Sequence, residues 1–246
     1  MSPLADWRAA RLAALTAPDG GLNLVARIEL APGTYPVGAA QEVQLPSGAD
    51  LLGTLELTST GATFALPGQA AQPFLPVPDA FPQLRVNSFL LEIHTVDGIP
   101  ALRVRDLTLQ PTIMLRNFPD APDWTVRAKW TSFAPQAAEV KMKDGSVAAV
   151  IVTHTATFQH QGRSVTLTPT HVKSGKPMFV FRDATAGETY PACRFLFGED
   201  PSDTEITLDF NRAITPPCGF TDFAICPLPP PGNILPFRIE AGELAP

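Results

Sequence analysis

Proline sets the first limit on the fold of this chain, because 27 of its 246 residues are proline. Proline fixes φ and removes a backbone donor, so it interrupts helices and central strands. This share, about twice the usual value, favours many short strands joined by turns over long helices. The segment 181–243 concentrates proline together with Cys, Asp and Asn. A segment this stiff can hold side chains in one fixed arrangement.

Length and composition indicate a globular chain with a large core. With 45% hydrophobic residues, a soluble chain of this length buries roughly 70–75% of its unfolded surface. Only 17% of the residues are charged, which excludes a disordered chain. The net charge is −6 and no basic stripe occurs. We therefore expect no nucleic-acid partner, since nucleic-acid binding requires cations that neutralise phosphates.

The N-terminal sequence and the cysteines predict where the protein resides. The first residues, MSPLADWRAARLAAL, contain an Asp and two Arg and no uninterrupted apolar run, so we expect neither a signal peptide nor a membrane partner. Cys193, Cys218 and Cys226 are few and odd in number, which favours reduced thiols over a disulfide framework. The sequence therefore predicts a cytoplasmic protein.

One helix and a series of strands follow from the local patterns. Ser2 and Pro3 form a helix start, and apolar residues at helical spacing predict a helix over 3–15. Asp97-Gly98 and Asp144-Gly145 predict β-hairpins, and Gln161-Gly162 predicts another turn. We predict strands at 23–30, 34–37, 42–45, 51–57, 62–66, 87–96, 100–107, 139–143, 147–160, 163–170, 178–182, 194–197, 205–210 and 234–240.

Alternation of apolar and polar residues predicts a mainly β fold. Phe89, Leu91 and Ile93 share one face of a strand, and the alternate residues from Trp124 to Trp130 share another, as in antiparallel sheets with one wet face. We predict two packed antiparallel sheets, a sandwich or a barrel, with one short N-terminal helix. The pattern breaks near residues 110–123. We therefore predict two lobes with a shared core: 1–110, and 111–246 with the Pro/Cys-rich cover segment.

Motifs in the last quarter of the chain resemble a known family. They are Phe181-Arg182-Asp183, Gly187-Glu188-Thr189-Tyr190, Arg194-Phe195-Leu196, Leu208-Asp209-Phe210-Asn211, Pro216-Pro217-Cys218, Cys226-Pro227-Leu228-Pro229-Pro230 and Ala241-Gly242-Glu243. In this combination the chain resembles the bacterial family known only as domain of unknown function 1684. The resemblance extends to motifs nearer the front, such as Arg103-Val104-Arg105-Asp106. It implies an uncharacterised protein and transfers no activity.

The sequence departs from the pattern of this family at two positions, and its early strands resemble a second family. Cys193 stands where the family pattern has glycine, and Ile214 stands where relatives have a polar residue before Pro-Pro. The early strands also resemble a forkhead-associated sandwich. Gly38, however, is followed by Ala39 instead of the arginine that helps that family to hold a phosphopeptide. This second resemblance supports a β-sandwich and argues against phosphothreonine recognition.

Charged and polar residues of the cover segment are the first candidate site. We predict a ligand-binding wall formed by a group of polar residues that comprises Arg182, Asp183, Tyr190, Arg194, Asp209 and Asn211. Guanidinium groups suit an anionic ligand, and carboxylates suit acid–base work, with Asp209 as the best candidate. The alternative is structural, because Arg–Asp pairs and Asx turns also tie irregular loops to a sheet.

Cys218 is a candidate nucleophile, with Arg194 or Arg212 as the groups that could activate its thiol. The alternative is an inert packing residue. A bridge to Cys226 is geometrically possible and is disfavoured in a reducing compartment.

His154 and His171 are a candidate metal pair. A four-residue hairpin loop at 161–164 would place them directly opposite each other, where they could hold Zn²⁺ or another divalent ion together with a carboxylate. A two-residue loop would make the pair diagonal. The alternative is two separately hydrogen-bonded histidines. No other cofactor is predicted, since nucleotide-binding glycine motifs and a G-x-S-x-G motif are absent from the sequence.

These observations predict a cytoplasmic small-ligand-binding β protein with a pocket under the 181–243 segment. One alternative is a hydrolase- or lyase-type enzyme that uses Asp209 with Arg194, or a metal at His154 and His171. The other is a structural or partner-binding module. A bound small molecule is the expected partner.

Overall fold

The computed structural model describes residues 2–78, 80–96 and 98–246. It confirms a mainly β protein with a single N-terminal α-helix in this part of the chain, α1 (Pro3–Thr16). Ser2 begins the helix as predicted, because its Oγ accepts a hydrogen bond from Ala5 N at 3.2 Å. Pro3 follows at a position where no intrahelical donor is needed. No helix of the described residues is long and apolar enough to cross a bilayer.

The chain forms two compact units. One comprises residues 13–112, and the other comprises residues 1–12 together with 113–246. Helix α1 thus contributes residues to both units.

The unit of residues 13–112 is built from two sheets. Its strands are β1 (Leu24–Glu29), β2 (Gly33–Gly38), β3 (Val43–Gln44), β4 (Gly53–Leu57), β5 (Ala62–Ala65), β6 (Gln72–Pro73), β7 (Gln83–Val86), β8 (Phe89–Val96) and β9 (Ile99–Asp106). One sheet has the order β1-β9-β8-β7 and the other β3-β2-β4-β5-β6. Leu55 and Phe64 of the second sheet and Leu91 and Val104 of the first belong to one hydrophobic cluster, as in a sandwich.

The predicted hairpin of β8 and β9 is confirmed, since Val96 pairs with Ile99. Gly98 has φ +79°, which glycine adopts without strain. Asp97 of the predicted turn lies outside the described residues.

The other unit is built on a seven-stranded antiparallel sheet. Its strands are β10 (Thr125–Lys141), β11 (Val147–His160), β12 (Arg163–Leu167), β13 (His171–Lys173), β14 (Lys176–Phe181), β15 (Arg194–Glu199) and β16 (Glu205–Asp209). The order is β12-β11-β10-β16-β15-β14-β13. Phe179, Phe181, Leu196 and Phe210 are fully buried in its main hydrophobic cluster.

Strand β10 is much longer than the predicted strand 139–143. The predicted apolar face from Trp124 to Trp130 is confirmed, because its residues all belong to the main cluster of this unit. The pairing of β10 with β11 shifts between Ser132 and Gln136, where Pro135 removes a donor. The shift separates the part of β10 that packs on the main cluster from a distal part.

Asn233 connects the two ends of the seven-stranded sheet. Its Oδ1 accepts a hydrogen bond from Thr168 N at 2.9 Å, just after β12. Its Nδ2 donates to Thr168 O at 2.9 Å and to Val180 O of β14 at 2.8 Å. The side chain is fully buried. One asparagine therefore joins β12 and β14, which are far apart in the order of the strands.

The predicted strand at 234–240 is wrong. The segment makes an isolated backbone bridge between Ile234 and Arg182, and its later groups are bound by side chains. Ile239 N donates to Asp183 Oδ2 at 2.6 Å, and Ile239 O accepts from Arg194 Nη2 at 3.1 Å. Backbone hydrogen bonds to residues 182–184, such as Leu235 N to Arg182 O at 2.8 Å and Ala184 N to Phe237 O at 3.0 Å, thus hold the first part of the segment, and buried side chains hold the part around Ile239. The sequence patterns also missed β6, β7 and β13, which are too short to show alternation.

Candidate functional site

Asp183 and Arg194 form an ion pair in the interior. Arg194 Nη2 lies 2.9 Å from Asp183 Oδ2, and both side chains are 1% exposed. Arg194 also donates to Ala241 O at 2.6 Å, and its guanidinium lies 4.7 Å from the centre of the Phe181 ring. Burial lowers the pKa of Arg194, and Asp183 opposes that shift. All these contacts are internal, so the pair fixes the end of the 181–243 segment, named here the closing segment, at Ile239 and Ala241.

The remaining members of the predicted wall are distributed over different surroundings. Arg182 is exposed, while its neighbour Asp183 is buried, because consecutive residues of an extended chain point to opposite sides. Tyr190 donates its hydroxyl to Cys218 O at 3.0 Å. These placements differ from a common wall that faces one ligand.

Asp209 and Asn211 form a local turn. Asp209 Oδ1 accepts from Asn211 N at 3.1 Å and from Thr125 Oγ1 at 3.0 Å, which caps the short 3₁₀ turn Phe210–Arg212. Asn211 exchanges two hydrogen bonds of 2.9 Å with the backbone of Ala121. Asp209 also pairs with Arg212 at 3.3 Å. The carboxylate predicted as the best candidate for acid–base work therefore binds structural partners, namely Thr125, Asn211 and Arg212, while Arg194 pairs with Asp183 instead.

Cys218 lies among other thiols rather than beside an arginine. Its backbone N–H donates to Cys226 Sγ at 3.3 Å, and Lys143 Nζ donates to its carbonyl oxygen at 3.0 Å. A hydrogen bond with Cys226, with help from Tyr190 and Lys143, lowers the pKa of the Cys218 thiol to about 7. Cys218 is 3% exposed within an apolar cluster that also contains Cys193. All three cysteines are free thiols in this structure, and their reduced state in the cell stays a prediction.

His154 and His171 are not directly opposed. Gln161 and Gly162 form a two-residue turn with φ of +49° and +74°, so His160 pairs with Arg163 and Ala156 with Leu167. The four-residue loop required for direct opposition is therefore excluded. His171 begins β13 and pairs with Met178 of β14 instead.

Both histidines nevertheless line one cavity, named here the histidine cleft. Its volume is about 500 Å³, within the usual range of ligand pockets. The lining residues come from β10, β11, the β13–β14 hairpin and nearby loops: Trp130, Val150, Ile151, Thr153, His154, Pro169, Thr170, His171, Val172, Gly175, Pro177 and Pro201. The topology of the unit, rather than a sequence motif, brings them together.

The two histidines of the cleft share one local arrangement. His154 Nδ1 lies 2.8 Å from Thr153 Oγ1, and His171 Nδ1 lies 2.9 Å from Thr170 Oγ1. In each pair the preceding threonine fixes the imidazole through Nδ1, which leaves Nε2 as the second polar atom of the ring. When the hydroxyl donates to Nδ1, Nε2 carries the proton and is a donor. When Nδ1 donates, Nε2 is an acceptor.

Trp130 forms the aromatic part of the cleft. It is 7% exposed, and its indole stacks on His154 with ring centres 4.6 Å apart and an angle of 10° between the planes. The predicted apolar face of β10 included Trp130 without a functional role. A usable signal was present, since Thr-His occurs at 153–154 and again at 170–171.

The lining of the cleft lacks permanently charged side chains. Of the described residues that line it, none is Asp, Glu, Lys or Arg. Burial lowers the pKa of His171 below its ordinary value of 6.5, so this ring is neutral at pH 7. The walls therefore offer flat apolar surface and a few polar groups.

The histidine pair gives no complete metal site by itself. Within the described ranges, no group of three or more His, Cys, Asp or Glu side chains could hold a metal ion. A divalent ion between His154 and His171 would need further ligands from water or a bound molecule. The predicted carboxylate ligand is not found beside them in this part of the chain.

Comparison with known proteins places the chain among uncharacterised proteins. The model of a family described as protein of unknown function (DUF1684) matches residues 114–244. Among solved structures, the chain is similar to an uncharacterized protein of Haloarcula marismortui determined by solution NMR. The identity is 34% over 53% of this chain and 75% of that chain, with a TM-score of 0.44. The comparison with curated proteins gives no match. The family match begins at residue 114, so the motifs proposed nearer the front lie outside it.

Proposed function

This chain belongs to DUF1684, a family of proteins of unknown function, and on that premise we propose that it binds a small, uncharged, partly aromatic molecule in the histidine cleft. The observation that carries the proposal is the pair of Thr-His arrangements on one cavity of about 500 Å³. Few polar groups that converge on a mostly apolar pocket are typical of small-molecule sites.

The chemistry of the lining selects the class of ligand. An ionised ligand would lose its hydration in a cleft without opposite charges, and that loss is costly. A neutral ring can instead pack against Trp130 and the prolines at 169, 177 and 201, since aromatic contacts favour offset stacking. Two imidazoles can then bind a carbonyl, hydroxyl or ring nitrogen. The ligand we propose is therefore a neutral ring with at least one hydrogen-bonding group.

The proposed cleft replaces the predicted pocket under 181–243. Several charged residues of that segment are engaged internally, as the Asp183–Arg194 ion pair illustrates. They support the architecture around the cleft, and a ligand would have to break these contacts to use them. The predicted enzyme with Asp209 and Arg194 would face the same cost.

Isotope-edited NMR with small probes tests the proposal. We would titrate the labelled, untagged protein with indole, phenol and nicotinamide, and with benzoate as a charged counterpart. We expect saturable shifts of the Trp130 indole N–H and of the His154 and His171 rings with at least one neutral probe, and no saturable shifts with benzoate. No saturable shift of these groups with any neutral probe up to millimolar concentrations would contradict the proposal.

A matched pair of variants locates the binding. His171→Asn removes an imidazole from the cleft, and we expect affinity for that neutral probe to fall about tenfold, as for the loss of one good hydrogen bond. His160→Asn is the control, because His160 stacks between Trp124 and Phe237 and does not line the cleft. Equal losses of affinity in the two variants would contradict the assignment.

A further inference from the structure

We infer that a second cleft, lined by Trp7, Lys173, Ser174, Lys176, Phe197, Glu199 and Arg212, binds a small aromatic anion such as an aryl carboxylate or aryl phosphate. This cationic cleft has a volume of about 230 Å³, roughly the space of eight water molecules in the liquid. It shares no lining residue with the histidine cleft. The inference is therefore independent of the proposed function.

The cationic cleft carries more positive than negative side chains. Three cationic side chains and one carboxylate line this cleft, although the whole chain carries a net charge of −6. The carboxylate, Glu199, is already shared: Arg212 Nη1 lies 2.7 Å from its Oε1, and Lys176 Nζ lies 3.5 Å from the same atom. Arg212 also pairs with Asp209 Oδ2 at 3.3 Å. Three cations thus face two carboxylates, and an anion would compensate the one positive charge in excess.

The β13–β14 hairpin gives independent support for an anion site, because its turn brings two lysines together. Ser174 and Gly175, with φ of +49° and +73°, form a two-residue turn, and Lys173 pairs directly with Lys176 across it. Like charges in directly opposed positions destabilise a sheet. Such a local conflict between sequence and stability is expected where a site serves a function. A bound anion between the two lysines would turn this repulsion into attraction.

The aromatic side chains that line the cationic cleft indicate an anion with an aromatic part. Trp7 and Phe197 both line the cleft, and both pack at the edge of the same apolar cluster. The Arg212 guanidinium lies 5.8 Å from the centre of the Trp7 ring, which orients the cation along the ring face. A ligand with a flat apolar part and an anionic group fits both features. A bare inorganic anion would use only the charges.

Calorimetric titration tests this inference with three probes. Phenyl phosphate is the matched probe, inorganic phosphate carries the charge alone, and benzyl alcohol carries the ring alone. We expect saturable binding of phenyl phosphate that is tighter than that of either other probe and that weakens as salt is added. Absence of saturable binding, or equal affinity for inorganic phosphate and phenyl phosphate, would overturn the assignment of an aromatic anion.

Three charge variants assign the binding to the cleft. Lys173→Gln and Lys176→Gln should each weaken phenyl phosphate binding about tenfold, as expected for the loss of one charged hydrogen bond. Lys129→Gln is the control, because Lys129 is exposed and lines another cleft. A loss of affinity in Lys129→Gln equal to that in the other two variants would overturn the inference.

Thermal unfolding separates loss of the site from loss of the fold. Without ligand, Lys173→Gln should have a melting temperature equal to or above that of the natural sequence, because it removes a repulsive cross-strand pair. Reduced binding together with an unchanged or raised melting temperature supports the inference. A lowered melting temperature without ligand would contradict the argument from repulsion.

Discussion

At the scale of single residues, the polar side chains of the closing segment mostly bind the chain itself. Glu243 illustrates this: its Oε1 pairs with Arg11 at 3.0 Å, and its Oε2 accepts from Thr215 N at 2.7 Å. Asn233 and the Asp183–Arg194 pair act in the same way on other parts of the backbone. The motifs that identify the family therefore have direct structural roles.

Replacing Arg194 tests this role. Arg194→Met leaves the Asp183 carboxylate buried without its cation and frees the carbonyls of Ile239 and Ala241. We expect the free energy of unfolding to fall by roughly 3–5 kcal/mol, as for other broken buried pairs. Urea unfolding at pH 7 measures this change.

Arg238→Ala is the matched control, because Arg238 pairs with Glu188 and Glu240 at the surface. We expect little change in stability, because solvent and salt screen exposed pairs of this kind. An equal effect of the two substitutions would contradict the role assigned to Arg194.

His94 gives a prediction about pH. Burial, followed by the charges of Arg103, Arg27 and Arg105, lowers the pKa of His94 from 6.5 to about 3. Between these values the unfolded chain binds a proton that the folded chain does not, so the free energy of unfolding falls as pH falls through this window. His94→Gln should weaken this dependence, which urea unfolding at pH 7 and pH 5 would measure. An NMR titration of His94 in the natural sequence with a midpoint near 6.5 would contradict the argument.

At the scale of elements, tight turns and close contacts fix the closing segment. Gly242 has φ +84°, and a Cβ at this position would lie 2.6 Å from Ala213 O and 2.8 Å from Phe210 O. Its carbonyl oxygen accepts a hydrogen bond from Phe118 N at 3.0 Å, and the next N–H, that of Glu243, donates to Ala213 O at 2.9 Å. Only glycine suits this conformation and this space.

Gly242→Ala should therefore lower the free energy of unfolding by roughly 1–3 kcal/mol. Gly232→Ala is the control, because nothing lies within 4 Å of an added Cβ there and its φ is not positive. We expect the control to change stability by about 1 kcal/mol or less. Comparable melting temperatures for the two variants would contradict this account of the closing segment.

Elements with a strong local signal could be predicted from the sequence. The helix start at Ser2-Pro3 and the turns at Gly98 and Gly145 could be predicted, because helix capping and positive φ depend on neighbouring residues only. Strand β13 was missed because three residues show no alternation. The segment 234–240 was wrongly predicted as a strand because its apolar residues alternate, while only its first part makes backbone hydrogen bonds and Ile239 is bound by the side chains of Asp183 and Arg194.

At the scale of the whole molecule, the candidate site depends on topology. Trp130, His154 and His171 lie on three strands, and no motif links them along the chain. The two-residue turn at 161–162 and the separate β13–β14 hairpin determine where the two imidazoles lie. The sequence therefore singled out the histidines as a pair and left two loop lengths open, of which the two-residue turn at 161–162 is the one found and direct opposition is excluded. The pocket was predicted under the closing segment because that segment is dense in polar motifs. Many of those polar residues instead stabilise the fold.

The central claim is that ligand binds in the histidine cleft and not beneath the closing segment. A crystal structure of the untagged protein, soaked to saturation with the neutral aromatic probe that binds most tightly, tests it directly. We predict probe density against Trp130, with a polar atom of the probe within about 3 Å of Nε2 of His154 or His171. Density beside Arg182, Tyr190 or Asp209 with an empty histidine cleft would contradict the claim.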